Sequence, residues 1–249
     1  MTYCIALRLE DGLVFLADTR TNAGVDNVGT YRKLHVVRPA PDRVFVLESA
    51  GNLATTQEVL DRIDRDLAAP GDHESLATVS HLFEAALYIG RLSQLVAANH
   101  RNGLSATGAD GTATFILGGQ IAGEAPDILL VYPEGNYIRA SDDRPFLQIG
   151  ESKYGKFVLD FMVQPQVDLQ TAVKIAVGSM MSTARANLSV GPPYDGGVLP
   201  NDGSLTLREF RVEADSPTIT HLEAMWHKHL HAVIAELPHV ATDDVAGAG

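Results

Sequence analysis

A single cysteine, Cys4, stands in 249 residues. That excludes an internal disulfide framework and a zinc site built from thiolates alone. Basic residues are also scarce: 19 Lys and Arg face 31 Asp and Glu, a formal charge of −12. Such a chain lacks the basic patch that supplies most of the affinity for nucleic acid or an anionic membrane. No apolar run approaches the ~18 residues that suggest a membrane span. Arg8, Glu10 and Asp11 interrupt the opening before a signal-peptide core can form. The glycines at 108, 111, 118 and 119 fit no phosphate loop, and no nucleotide motif occurs. These absences predict a soluble, cytoplasmic protein with no cofactor, no metal, no nucleic acid and no membrane partner. What remains is ordinary globular material, 45% apolar and 20% charged, long enough to bury a large core.

Alternation of apolar side chains predicts a strand over Tyr3–Leu9 and a second over Leu13–Thr19, with Glu10, Asp11 and Gly12 between them. A three-residue loop with Gly12 left-handed sets Leu9 opposite Leu13. In that register Tyr3, Ile5, Leu7 and Leu9 share a wholly apolar face with Leu13, Phe15 and Ala17. Thr2, Cys4 and Arg8 then lie with Asp18 and Arg20 on the other face. A loop rich in Gly, Asn and Thr over residues 21–30 precedes a third strand, Lys33–Val37. A turn at Pro39–Asp42 leads to a fourth, Arg43–Glu48. Ser49, Ala50, Gly51 and Asn52 introduce a helix to about Ala68. A longer helix is expected after Pro70, Gly71 and Asp72, with Leu76, Val79, Leu82, Phe83, Ala86, Leu87 and Leu95 as its apolar stripe. Strands follow over Thr112–Ile121, Asp127–Tyr132, Tyr137–Ala140 and Phe146–Ile149, then helices over Tyr154–Met162 and Leu169–Leu188. An irregular excursion over Pro192–Gly197, a long strand Ser204–Glu213 and a helix His221–Leu237 close the pattern. The order predicts an α+β fold of two antiparallel sheets with helices outside them. One domain is expected over residues 1–240, with a flexible tail over 241–249.

The chemistry concentrates at the N-terminus. Removal of Met1 leaves Thr2 with a free α-amine, and a hydroxyl nucleophile needs an adjacent base that this amine can supply. Its unperturbed pKa near ~8 suits proton acceptance around neutrality. A strand that starts at Thr2 brings amine and hydroxyl to a sheet edge beside Asp18. Lys33 is the natural partner of Asp18, because a partly buried ammonium needs a carboxylate. The same ammonium lowers the proton affinity of a nearby nucleophile.

Thr2 opening a strand, Asp18-Thr19-Arg20 ending its hairpin partner and Tyr31-Arg32-Lys33 heading the third strand resemble the proteasome β-subunit superfamily. Ser49-Ala50-Gly51-Asn52 before the first helix fits the same scheme. The start at Met1-Thr2 without a propeptide is most similar to the bacterial ancestral β-subunit group, called Anbu, as is the wording from Thr2 to Leu7 and from Ala17 to Gly24. The resemblance runs from residue 1 to about 240. It implies a four-layer αββα sandwich of the N-terminal-nucleophile (Ntn) hydrolases and a threonine-type endopeptidase. Thr2 would attack a peptide carbonyl, form an acyl-enzyme and release it to water. Asp18 would orient Lys33, and Lys33 would depress the pKa of the Thr2 hydroxyl or amine. A backbone N–H near Glu48 and Ser49 would hold the oxyanion, and Arg20 would structure the hairpin end. The supporting serine of the family corresponds to Ser152, displaced by one residue, or is replaced by Glu151. Ser189 keeps its place in the later element, where Ala186 stands for an aspartate and Asn187 follows it. A homo-oligomer of stacked subunits acting on peptide or protein substrates is implied, with any ATP-dependent step left to a separate partner.

Two other readings stay open. One is an amidohydrolase for a specific small amide or isopeptide. The other is an assembled scaffold or binding chamber with vestigial catalysis, which Glu151 and Ala186 favour and the intact Thr2, Asp18 and Lys33 oppose. His227 and His231 share a helix face but complete no metal motif, so a solvated or interface helix is expected there. Cys4, Met180 and Met181 read as core, and Pro192–Gly197 as a surface loop or a subunit contact.

Overall fold

The computed structural model describes residues 2–22, 28–69 and 73–238. They form two compact units that divide after Glu213. The first unit contains β1 (Tyr3–Leu9), β2 (Gly12–Asp18), β3 (Arg20–Asn22), β4 (Val28–Thr30), β5 (Leu34–Ala40), β6 (Arg43–Gly51), α1 (Leu53–Ala68) and α2 (Leu82–Thr107). It continues with β7 (Ala113–Ile121), β8 (Asp127–Val131), β9 (Tyr137–Arg139), β10 (Phe146–Gly150), α3 (Ser152–Met162), α4 (Leu169–Ala186), β11 (Tyr194–Pro200) and β12 (Arg208–Val212). The second unit carries α5 (Pro217–Glu236), capped by the Ser216 side chain, with Pro217 at the first helical position, where a missing N–H costs nothing.

Two five-stranded antiparallel sheets, ordered β10-β1-β2-β11-β12 and β5-β6-β7-β8-β9, make the centre of the first unit. The α+β sandwich expected from the element order is therefore the observed architecture. One apolar cluster fills the space between the sheets, with Cys4, Ala6, Leu13, Phe15 and Ala17 from one and Val44, Val46, Ile116 and Ile128 from the other. A second cluster joins the other face of β6 and β7, through Phe45, Leu47, Phe115 and Leu117, to Val59, Ile63, Ala86 and Ile89 of α1 and α2. On the opposite side α4 packs over β1 and β2. There Tyr3 Oη and Ser179 Oγ lie 2.8 Å apart.

The first hairpin corrects the expected register. Leu9 pairs with Gly12, Arg8 with Leu13 and Cys4 with Ala17, so a two-residue turn at Glu10 and Asp11 joins the strands. Cys4 and Ala6 thus share the inter-sheet face with Phe15 and Ala17, while Tyr3, Ile5 and Leu7 belong to the other side. The physical reason is that the hairpin lies between a sheet and a helical layer, so both faces are buried. An apolar-versus-polar criterion cannot then choose between registers. Gly12 has φ +142°, and a Cβ there would come within 2.2 Å of the Leu199 carbonyl oxygen of β11. The glycine admits a neighbouring strand and does not form a three-residue loop.

Further differences have similar causes. Part of the expected loop at 21–30 pairs as a short ribbon of β3 with β4. Leu76 and Val79 are buried as predicted, yet they lie in turns before α2, which starts at Leu82. Core-facing periodicity does not require helix. Pro192–Gly197 is neither surface loop nor irregular throughout: after the cis Pro192–Pro193 bond, Tyr194–Pro200 forms the buried strand β11 between β2 and β12. Its glycines give way to neighbours, since a Cβ at Gly196 would meet the Phe210 ring at 2.2 Å. The final strand is shorter than expected, Arg208–Val212. Pro70, Gly71, Asp72 and the tail 241–249 lie outside the described residues.

Candidate active site

Thr2, half-buried, precedes β1, and its carbonyl accepts a 2.7 Å hydrogen bond from the Glu151 N–H. Gly150, at φ +81°, makes this approach possible: a Cβ there would lie 2.0 Å from the Thr2 oxygen. One residue further, the Tyr3 N–H donates to Asp18 Oδ1 at 2.9 Å. Asp18 ends β2 with no solvent exposure, and Lys33, directly before β5, is 5% exposed. Lys33 Nζ donates to Asp18 Oδ1 at 2.7 Å and to the Arg20 carbonyl at 2.6 Å. The hairpin end and the start of β5 are thereby locked together one residue from Thr2. Burial pushes the Asp18 carboxyl up, while the Lys33 ammonium and the Tyr3 and Gly191 amides pull it down.

A belt of chain over residues 187–193 crosses this end of the sheet. Asn187 Nδ2 donates to Glu151 Oε2 at 3.0 Å, and Asn187 Oδ1 accepts from the Ser189 N–H at 2.9 Å. Arg20 Nη1 donates to the Leu188 carbonyl at 2.9 Å, the Gly191 N–H reaches Asp18 Oδ2 at 3.4 Å, and the Thr19 hydroxyl donates to the Pro193 carbonyl at 2.8 Å. Four residues around the N-terminus are therefore tied to a single segment more than 165 positions away along the chain from three of them.

The remaining sequence candidates fall as follows. Ser189 belongs to the belt through its amide. Ser152 is the first residue of α3, and its carbonyl accepts from Gln148 Nε2 at 3.4 Å. The Glu151 amide, one position earlier, is the group that touches Thr2. Ala186 ends α4, and the side chain that reaches Glu151 comes from Asn187. Glu48 and Ser49 lie within β6, and the Ser49 N–H donates to the Lys33 carbonyl at 3.1 Å. That amide is committed inside the fold, so the expected oxyanion donor at Ser49 is corrected. Strand pairing spends main-chain N–H groups, which a turn would have left open. Cys4 is buried in the inter-sheet layer. On α5 the His227 and His231 rings lie 4.4 Å apart.

Sequence reading singled out Glu151 as a replacement for the family's serine and Asn187 as the neighbour of Ala186 without pairing the two, and missed Gly191 as a donor to Asp18 and the belt as a whole. A Cβ at Gly191 would meet the Arg20 guanidinium carbon at 2.4 Å, a contact that no local pattern announces.

A four-layer sandwich whose first strand directly follows a threonine and lies beside a buried Asp–Lys pair is the proteasome-type Ntn-hydrolase fold. Solved structures agree along nearly the whole chain. Anbu, the ancestral β-subunit, from Yersinia bercovieri is 39% identical, with 96% of this chain and 98% of that chain covered at a TM-score of 0.87. A Gly-1 mutant of Anbu from Hyphomicrobium sp. strain MC1 is 41% identical, covering 97% and 100% at 0.90. Anbu in a helical assembly from Pseudomonas aeruginosa is 38% identical, covering 97% and 99% at 0.90. The chain belongs to the Anbu family. No protein-family model matches the sequence, and neither does any curated protein. No helix among the described residues is long and apolar enough to cross a membrane.

Proposed function

We propose that this chain is a threonine-type endopeptidase subunit with Thr2, freed of Met1, as its nucleophile. The observation that carries the reading is the buried Asp18–Lys33 pair at 2.7 Å, held one residue from Thr2 by the Tyr3 amide. Buried ion pairs contribute little net stability, so their placement beside a hydroxyl and an amine points to chemistry. Thr2 Oγ attacks the peptide carbonyl while its proton passes to the α-amine. The tetrahedral oxyanion collapses, the C–N bond breaks, and the departing amine takes that proton. Water, activated by the same amine, then cleaves the ester and restores the Thr2 hydroxyl. The Lys33 ammonium favours the deprotonated nucleophile electrostatically, and Asp18 keeps the charge in place. Glu151 and Asn187 hold the Thr2 main chain against β10.

The helical assembly of the Pseudomonas aeruginosa relative supports a homo-oligomer here. A scaffold with vestigial catalysis is favoured by one observation: Asn187 is spent on Glu151 and no carboxylate follows Arg185. Intact mass before and after an epoxyketone or β-lactone separates the two. Loss of Met1 with one adduct, absent in Thr2→Ala, supports the nucleophile. A processed but unlabelled Thr2 supports the scaffold.

A further inference from the structure

Glu48 lies in the first unit with no exposed surface, and neither carboxyl oxygen has a hydrogen-bond partner among the described residues. On β6 it continues the face of Val44, Val46 and Ala50, which belongs to the inter-sheet cluster. Its neighbours across the ladder are Leu34 on β5 and Ile116 on β7, both apolar. The Leu16 N–H of β2 lies near enough to favour the charged form but does not meet hydrogen-bond geometry. No cation among the described residues pairs with it. A carboxylate in such a layer would lack both water and counter-charge, so the group is held neutral, with burial as the cause. None of the catalytic steps above uses this side chain.

Its position gives the neutrality a consequence. Ser49, the next residue, holds the Lys33 carbonyl, and Cys4 of β1 feels Glu48, Lys33 and Asp18 as its charged neighbours. We propose that Glu48 is a pH-sensitive latch that seals the layer between the sheets beside the Asp18–Lys33 pair when neutral and opens it when ionised.

The sign follows from linkage. A carboxyl whose folded pKa lies above its open-state value contributes most at low pH, and that contribution is lost as pH rises toward the folded pKa. Each pH unit in that interval changes the opening equilibrium about tenfold, one proton's worth. The other titrating groups at this end are the Thr2 α-amine once Met1 is removed, Cys4, Asp18, Lys33 and His35. Burial lowers His35 below its ordinary value and raises Asp18 above its own, against the pull of Lys33. The unperturbed amine titrates near ~8, so the part of the pH dependence that belongs to Glu48 is the difference between the native protein and a Glu48 variant, and Cys4 itself is removed by normalisation to a free thiol.

Cys4, the sole cysteine and fully buried, reports the opening without any substrate, so the outcome is separate from the catalytic reading. Its alkylation rate by a maleimide, divided by that of N-acetylcysteine under the same conditions, is expected to rise with pH in the native protein, by up to about tenfold per pH unit below the folded pKa of Glu48. In Glu48→Gln that component of the slope is expected to be absent, and in Glu48→Leu, which removes the polar group altogether, absent as well. A flat profile in the native protein overturns the latch, as does a slope in either variant equal to the native one.

Discussion

Removing Lys33 leaves Asp18 as a fully buried carboxylate whose strongest partner, at 2.7 Å, is gone. Breaking a buried pair from one side costs about 3–5 kcal/mol, because the surviving charge has no water to turn to. The Tyr3 and Gly191 amides remain, which places Lys33→Ala toward the lower part of that interval. The Arg20 carbonyl also loses its donor, which adds roughly 1 kcal/mol. Urea unfolding at neutral pH is expected to show destabilisation of about 3–5 kcal/mol relative to the native protein. At about 2–4 °C per kcal/mol for a chain of this size, melting falls by roughly 6–20 °C. In the variant, loss of the ammonium raises the folded Asp18 pKa further above the unfolded value. The penalty is therefore small near pH 4 and grows as pH rises through the folded pKa. Lys33→Met with Asp18→Leu, which leaves no charge behind, is expected to recover most of the loss. A Lys33→Ala protein within 1 kcal/mol of the native one, or a penalty that does not change with pH, would refute the coupling.

Three further outcomes are expected. Gly150→Ala forces a Cβ to within 2.0 Å of the Thr2 oxygen at φ +81°, so mass spectrometry should show loss of β-lactone labelling at Thr2 and calorimetry a destabilisation of at least ~1–3 kcal/mol. Asn187→Ala removes the bracket on Glu151 with little burial change, and labelling of Thr2 is expected to slow about tenfold while chemical denaturation shifts by no more than ~1.5 kcal/mol. Gly90→Ala improves intrinsic helix propensity in α2, yet its Cβ would lie 2.3 Å from the Gly135 carbonyl; a net loss of ~1–3 kcal/mol in urea melts is expected, and a gain would show that this crossing yields easily.

The architecture followed from patterns that are short in sequence. Alternating runs, the Asn52 cap of α1 and the Asp168 cap of α4 each operate within a few residues. Thr2, Asp18 and Lys33 were readable for the same reason, since each sits where a strand begins or ends. The register of β1 on β2 was not readable, because both faces of the hairpin are buried and alternation no longer distinguishes them. The strand Tyr194–Pro200 was hidden by its own glycines, whose missing side chains weaken a local strand signal but admit Phe210. Composition and local chemistry thus determined an acidic α+β protein of two antiparallel sheets with a candidate nucleophile, an acid and an ammonium, and the family resemblance implied the αββα order. Tertiary structure decided which amides touch Thr2, that the Ser49 amide is already spent, that residues 187–193 clasp the site, and that Glu48 is sealed without a partner among the described residues. Those facts depend on contacts between residues far apart in the chain, which come together only when the two sheets close on each other.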